Sequence, residues 1–486
     1  MENLAVTVNL PNLKLNIPEK EINFHHLERI IFNLSRKIGQ ELLEELLPLI
    51  DDKLKKERKR GELSNQGKRL RYMTTLLGDI TFYKRLYQER DGKYLYLLDE
   101  KLGLTKNQRV SKAYQKIAGL LAFISGSYRN SEDLMQRFYG DSRSFESIRV
   151  QVIRQGKKIL KEEKEEINQE LLKALRQTED ELTKEADSGI IYLEVDGTNI
   201  HLQQEEKTKA ELKLGIISKG KERRYKTGSG EAKRLQDKFT YAGITSGDEF
   251  MSNLSIWGEK KFHLFSQSLI LIGGDGAFWI KEGAQNYFPN SVYQLDKFHL
   301  ERKLKQTLLY HQKMQKEIRG LLKEEQIGKA LKELQYERNL RPEYQKDIAG
   351  LMHYIYSNQE GLNAVDRLRK QGILVEDLGA VEGNIDKTLA NRFKKRGMRW
   401  SISGAPSLAK VGQMIVNQEW DSWWSIEANP IRLKLDLEKV VSLDFDKGGN
   451  DKYDHIYSLP VLSGPHQDRP LGKIIKEISE YRLIIF

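Results

Sequence analysis

Residues 269–280 read Leu269-Ile-Leu-Ile-Gly-Gly-Asp-Gly-Ala-Phe-Trp-Ile. Four aliphatic residues in a row predict a strand buried on both faces, because a half-exposed strand would alternate. Two glycines break that run, and Asp275 follows where strand gives way to helix. Strand ends of α/β sheets are where ligands and catalytic groups collect. Taken alone, such an acid is also an ordinary helix cap. The chain offers a second strand-end acid, Asp196, and a helix-borne one, Glu382. Three converging carboxylates would make a divalent-metal site.

A chain of 486 residues has room for two or three domains, each with its own core. Lys and Arg outnumber Asp and Glu by 81 to 70, a net charge of +11, which favours a polyanionic partner, nucleic acid before membrane. Cysteine is absent, so disulfides, thiolate zinc sites and cysteine nucleophiles are excluded. No basic stretch followed by an apolar core marks a signal peptide, and no window has membrane-spanning length. The expected setting is the cytoplasm, with no membrane partner.

Apolar and charged residues alternate at helical spacing over 19–60, with Ile22, Leu27, Ile30, Ile31 and Leu34 on one side. The basic run Lys53 to Arg60 reads first as a solvated helix face and second as a DNA contact. A β-hairpin is expected over 79–98 with its turn at Asp91-Gly92, completing an N-terminal region, 1–102. Over 103–160 the pattern becomes helical. A short helix near Ser131–Tyr139, a turn at Gly140-Asp141 and a second helix from Ser144 form a helix-turn-helix-like pattern. Arg149, Gln151 and Arg154 on the second helix are suited to paired contacts with guanine and adenine edges, though a plain three-helix bundle looks similar. Residues 161–187 read as an exposed, charged helical linker.

From residue 188 the chain switches to strands: Ile190 to Val195, Glu211 to Ser218, Phe239 to Thr245, 269–273 and Ser291 to Leu295. They predict a mixed sheet in an α/β domain whose first part is 188–298. Residues 299–375 read as an all-helical insertion, 376–430 as the second part of the same domain, and 431–486 as a tail. The fold class expected is therefore multidomain α+β.

Mg²⁺ prefers a few carboxylates and takes its remaining ligands from water and phosphate oxygens. Asp196 closes a strand before Gly197, which leaves room for a close approach. Glu194 shares its face by alternation and is an alternative ligand. Glu382 opens a basic helix carrying Lys387, Arg392, Lys394, Lys395 and Arg396, with Glu376 and Asp377 close before it as competing choices. The spacing of Asp296 and His299 brings both near one strand end, where they would orient a phosphate or a flipped base, or where His299 caps its own helix. Arg399 and Trp400 lie near Glu382 in sequence; Trp400 is either a core residue or a stacking platform for an unpaired base.

Tyr192-Leu-Glu-Val-Asp-Gly-Thr-Asn-Ile-His-Leu-Gln, Gly273-Gly-Asp-Gly-Ala-Phe-Trp-Ile, Leu295-Asp-Lys-Phe-His-Leu, and Glu382-Gly-Asn with Arg396-Gly-Met-Arg-Trp-Ser together resemble bacterial insertion-sequence transposases of the ISLre type. These are relatives of the Mutator-like transposases with an RNase H-like catalytic domain. The resemblance covers most of the chain and includes the hairpin Lys84-Arg-Leu-Tyr to Tyr96-Leu-Leu-Asp-Glu and the Ser127-Tyr128 region. It implies that Asp196, Asp275 and Glu382 form a DDE triad holding two Mg²⁺ ions, with Mn²⁺ able to substitute. It also implies a helical insertion between the second Asp and the Glu, and an Asp-x-x-His pattern at Asp296 and His299. The function implied is cleavage and strand transfer of DNA at terminal inverted repeats, with target DNA as second partner and at least a homodimer on DNA. The alternatives are a metal-dependent nuclease on the same fold and a non-catalytic repeat-binding protein.

Overall fold

The computed structural model describes residues 23–58, 61–140, 142–174, 187–203, 208–227, 230–379, 391–394 and 397–424. The chain divides into two compact units, one ending at Tyr114 and one spanning Gln115–Trp423.

In the first unit, helix α1 (Phe24–Glu57) packs on a sheet of order β1-β2-β3, formed by Leu63–Thr75, Gly78–Glu89 and Tyr94–Leu95. The expected hairpin exists, but only as a two-residue pairing of β2 with β3. The main partner of β2 is β1, whose Lys68-Arg-Leu-Arg stretch gives no apolar alternation to read. Arg71 is nevertheless buried, because Asp99 accepts a hydrogen bond from its guanidinium at 2.6 Å. Asp51, also buried, receives Arg85 at 2.7 Å and fastens α1 to the sheet. The predicted apolar face of α1 is corrected here. Ile31 is half exposed, while Leu43, Leu47, Ile50 and Leu54, further along, meet the core.

The second unit is built on a five-stranded mixed sheet of order β10-β9-β4-β5-β8. Its strands are β4 (Asp187–His201), β5 (Lys209–Ser218), β8 (Phe239–Gly243), β9 (Gln267–Gly274) and β10 (Ser291–Leu295), while β6 (Lys221–Thr227) and β7 (Gly230–Leu235) form a separate ribbon. β5 alone runs against β4; β9 and β10 run parallel to it. Alternation divides β4 cleanly. Ile191, Leu193 and Val195 join the core that also takes Ile270 and Ile272 of β9 together with Phe250, Leu254 and Ile280. The last three come from helices α6 (Gly247–Phe262) and α7 (Phe278–Tyr287). On the opposite face Tyr192 and Leu271 pack with Val365, Leu368 and Val375. Burial on both faces explains the unbroken aliphatic run of β9.

Helices α3 (Lys112–Ile124), α4 (Tyr128–Tyr139) and α5 (Phe145–Ala174) follow the expected helical region, with Gly140 ending α4 in the left-handed conformation. The expected boundary at 160/161 falls inside α5; of the linker expected over 161–187, residues 175–186 lie outside the described residues, and within 161–174 the helix is anchored to the body. Ile167 joins the sheet's core, and buried Glu163 binds Lys410 at 2.8 Å. Lys410 belongs to the helix Gly404–Val416, which lies so close that a Cβ on Gly156 would come within 2.1 Å of the Ser407 carbonyl oxygen. Between β10 and residue 375 the described elements are all helical. Helices α8 (Lys297–Thr307), α9 (Gln312–Lys323), α10 (Ile327–Leu340), α11 (Gln345–Ser357) and α12 (Ala364–Lys370) are described there; all but α12 share a core of Leu304, Ile318, Leu334 and Leu351.

Candidate active site

Register brings the strand-end acids together. β4 and β9 pair in parallel with Glu194 opposite Gly273, so two further residues along each strand bring Asp196 beside Asp275. β10 pairs Leu295 with Gly274, and the Asp296 amide donates to the Gly274 carbonyl at 2.8 Å, which brings Asp296 to the other flank of Asp275. Adjacent strands lie about 4.8 Å apart, so the three acids stand at the ends of three neighbouring parallel strands.

Each acid is fixed differently. Asp196 accepts a hydrogen bond from its neighbour's amide, Gly197, at 2.7 Å. Burial first, and Asp275 second, push its carboxyl up to about 6. Asp275 folds back on the Ala277 amide at 2.9 Å, and its carbonyl accepts the Tyr354 hydroxyl at 2.8 Å from α11. Gly276 between them has φ +92°, and a Cβ there would meet Asn358 at 2.9 Å and Tyr354 at 3.0 Å, so only glycine fits. Asp296 is the N-cap of α8, accepting from the Phe298 amide at 2.9 Å, and its other oxygen meets His299 Nδ1 at 2.8 Å. The cap is therefore Asp296 and not His299. That contact raises the His299 pKa, with Asp196 and Asp275 adding to it against burial.

The competing acids are engaged elsewhere. Glu194 is buried and accepts the Gly379 amide at 2.8 Å. Glu376 accepts the Lys221 amide at 2.7 Å, and Asp377 pairs with Arg369 at 3.2 Å. Glu382 and Arg396 lie outside the described residues. Among the described residues no group of three or more His, Cys, Asp or Glu side chains is disposed to hold a metal ion. No described helix is long and apolar enough to cross a membrane.

Arg149 and the neighbouring pair Arg399-Trp400, from distant parts of the sequence, line one cavity of about 260 Å³. Trp400 is buried, donates its indole N–H to the Phe393 carbonyl at 3.0 Å and continues the pairing of β4 through a bridge with Leu202. It is a core residue with one edge on the cavity. Gln151 donates to Ser147 at 3.2 Å within α5, and Arg154 is exposed on the same helix. Sequence reasoning assigned Tyr354 no role, since nothing in a charged helical insertion marks one tyrosine. It gave Asp296 only an auxiliary one, although the strand ending at Leu295 was the available signal.

Residues 18–422 match the model of a family described as an uncharacterised protein family, UPF0236. The chain belongs to the UPF0236 family. A UPF0236 protein from Caldanaerobacter subterraneus subsp. tengcongensis is 25% identical over 94% of this chain and 93% of its own length, and its name joins eleven locus designations. Another from the same strain, its name joining four, is 25% identical over 91% of this chain and 90% of its own. A third UPF0236 protein, from Streptococcus gallolyticus, is named for its place in a vanSb 3′ region and is 23% identical over 84% of this chain and 86% of its own.

Proposed function

We propose that this UPF0236 protein is the DNA transposase of an insertion sequence, with an RNase H-like catalytic domain that cuts DNA at terminal inverted repeats and joins the freed end to target DNA. The observation that carries the reading is Asp196 beside Asp275 at the ends of adjacent parallel strands of a mixed sheet. The relatives support it from another side. One protein name spread over eleven loci of a single strain is what a self-copying DNA element leaves behind.

The donor set suits Mg²⁺ or Mn²⁺. Hard oxygen ligands are present, and the upward push on Asp196 by burial and Asp275 marks negative charge that a cation would relieve. Asp196 and Asp275, with Glu382 as third, are the residues that would hold two such ions. Bound there, the metal would activate an attacking oxygen and steady the leaving one. Glu382 is favoured because Glu376 and Asp377 are engaged, and because three residues of chain reach at most about 11 Å from Gly379, anchored on Glu194. His299, its cationic form favoured by Asp296, would face a scissile phosphate with positive charge. Joining two ends requires at least a dimer on DNA.

Labelled element ends incubated with Mg²⁺ test the proposal: a cleaved and joined product is expected, cleavage alone would indicate a nuclease, and binding alone a repeat-binding protein. Asp275→Asn should reduce cleavage about 10³-fold, since metal charge stabilisation amounts to several kcal/mol and each 1.4 kcal/mol to a decade. End binding should persist. Full cleavage by that variant would refute the site.

A further inference from the structure

We propose that the cavity lined by Tyr128, Arg149, Arg399 and Trp400 holds a single extrahelical nucleotide, its base among the ring edges and guanidinium planes of the lining and its phosphate on the arginines. The inference rests on the reading of the chain as a DNA-handling protein. The cavity measures about 260 Å³. That lies below the usual range of roughly 300–1,000 Å³ for sites of drug-sized ligands, so it suits one ring system and excludes a base pair.

Four arginines line it, Arg129, Arg149, Arg392 and Arg399, and no carboxylate does among the described lining residues. Two acids border it: Glu146 accepts from Arg149 at 3.0 Å, and Glu132 accepts the amide of the lining Phe145 at 3.0 Å. The first turns of three helices also meet there: Ser127 and Tyr128 begin α4, Phe145 begins α5, and Gly404 begins the helix Gly404–Val416. Those of α4 and of the helix Gly404–Val416 contribute positive dipole density that favours an anion, while at α5 the Glu132 carboxylate already takes the Phe145 amide. Tyr128, Phe145, Ile153 and Trp400 supply apolar and aromatic wall, which inorganic phosphate alone would not need. Arginine planes already lie against this wall. Arg129 is 4.0 Å from the Phe145 ring centroid, and Arg392 is 5.0 Å from those of Tyr128 and Trp400. These guanidinium–ring stacks cover the ring faces, and a base would extend them by lying on a guanidinium plane, as unstacked bases do.

Gln203, also in the lining, lies two residues past the end of β4 and seven past Asp196, at most about 23 Å, or about seven nucleotide steps of a DNA strand. The captured nucleotide would therefore lie within about one helical turn of the cut, where it would fix the register of the element end.

The test compares the full chain's affinity for a labelled DNA duplex carrying one unpaired nucleotide with that for the fully paired duplex, and adds 2-aminopurine deoxyriboside 5′-monophosphate as a direct probe. Stacking a base contributes enough for about tenfold or greater preference for the unpaired form. Arg399→Ala, on an exposed side chain, and Ile153→Phe, which fills the cavity, should each remove that preference while changing paired-duplex affinity less than about threefold. Paired and unpaired duplexes bound equally well would overturn the pocket and leave the transposase reading standing. Capture of the free nucleotide, lost in both variants, without any duplex binding would uphold the pocket and overturn that reading. Failure to bind either DNA or the nucleotide would overturn both.

Discussion

Asp196 and Asp275 share one strand-end position, and their mutual repulsion has a measurable consequence without metal. Folding raises the Asp196 pKa from 3.8 to about 6, through burial first and Asp275 second. A raised acid binds its proton more tightly folded than unfolded, so the Asp196 contribution to metal-free stability is fully present below about pH 4 and is lost as pH rises through 6. His299, its pKa raised by Asp296, acts with the same sign, because its favourable charge is lost as pH rises. The Asp196 contribution alone is bounded at about 3 kcal/mol, two units at 1.36 kcal/mol each, before screening by water. Metal binding should recover it. The Tm gain from Mg²⁺ should therefore be small below pH 5 and grow above pH 6 in the wild type, and Asp196→Asn should raise the metal-free Tm at pH 8. A Mg²⁺ shift independent of pH between 5 and 8 would show that the two carboxylates do not share a site. Asp275 was legible in sequence because apolar run, glycines and acid occur consecutively. The proposed third acid was not, because Glu376 and Asp377 compete with Glu382 in sequence, and only tertiary contacts such as that of Asp377 with Arg369 show what those two do.

At the level of elements, strands were easier to read than their surroundings. Each expected strand from 188 to 295 is present, since alternation or unbroken apolar runs record directly which faces are covered. β1 was missed because its buried Arg71 depends on a partner 28 residues away. Only the second half of α5 was read as part of an exposed linker, because its inward contacts are sparse: Ile167 in the sheet's core and Glu163 on Lys410; the first half packs through Gly156 against the Ser407 backbone. Gly156→Ala should lower the Tm by several degrees, as overpacking costs roughly 1–3 kcal/mol; an unchanged Tm would detach the helix from the body. The Asp275 turn is a second case. Gly276→Ala must take φ +92° and meet Asn358 and Tyr354, a strain of about 1–3 kcal/mol. Tyr354→Phe removes only the hydrogen bond to the Asp275 carbonyl, about 1 kcal/mol. Cleavage should fall more in the glycine variant than in the tyrosine one, with DNA affinity preserved in both; the reverse order would separate the insertion's anchor from the chemistry.

On the scale of the whole molecule, the excess of 81 basic over 70 acidic residues makes a claim that no single site makes. A chain with net charge +11 that works on DNA should neutralise several phosphates at once and release their counterions. If six to ten phosphates are contacted, affinity for a long duplex should fall about 10³–10⁵-fold between 50 and 200 mM salt. Arg154, exposed on α5, is suited to one of these contacts and should account for about one unit of the log–log slope when changed to Ala, uniformly across sequences. Arg399 belongs to the cavity, so Arg399→Ala should reduce discrimination between paired and unpaired duplexes far more than it reduces the slope. Measuring both variants over a salt series separates backbone attraction from nucleotide capture. An affinity that stays flat with salt would remove nucleic acid as the partner, whatever the strand-end acids hold.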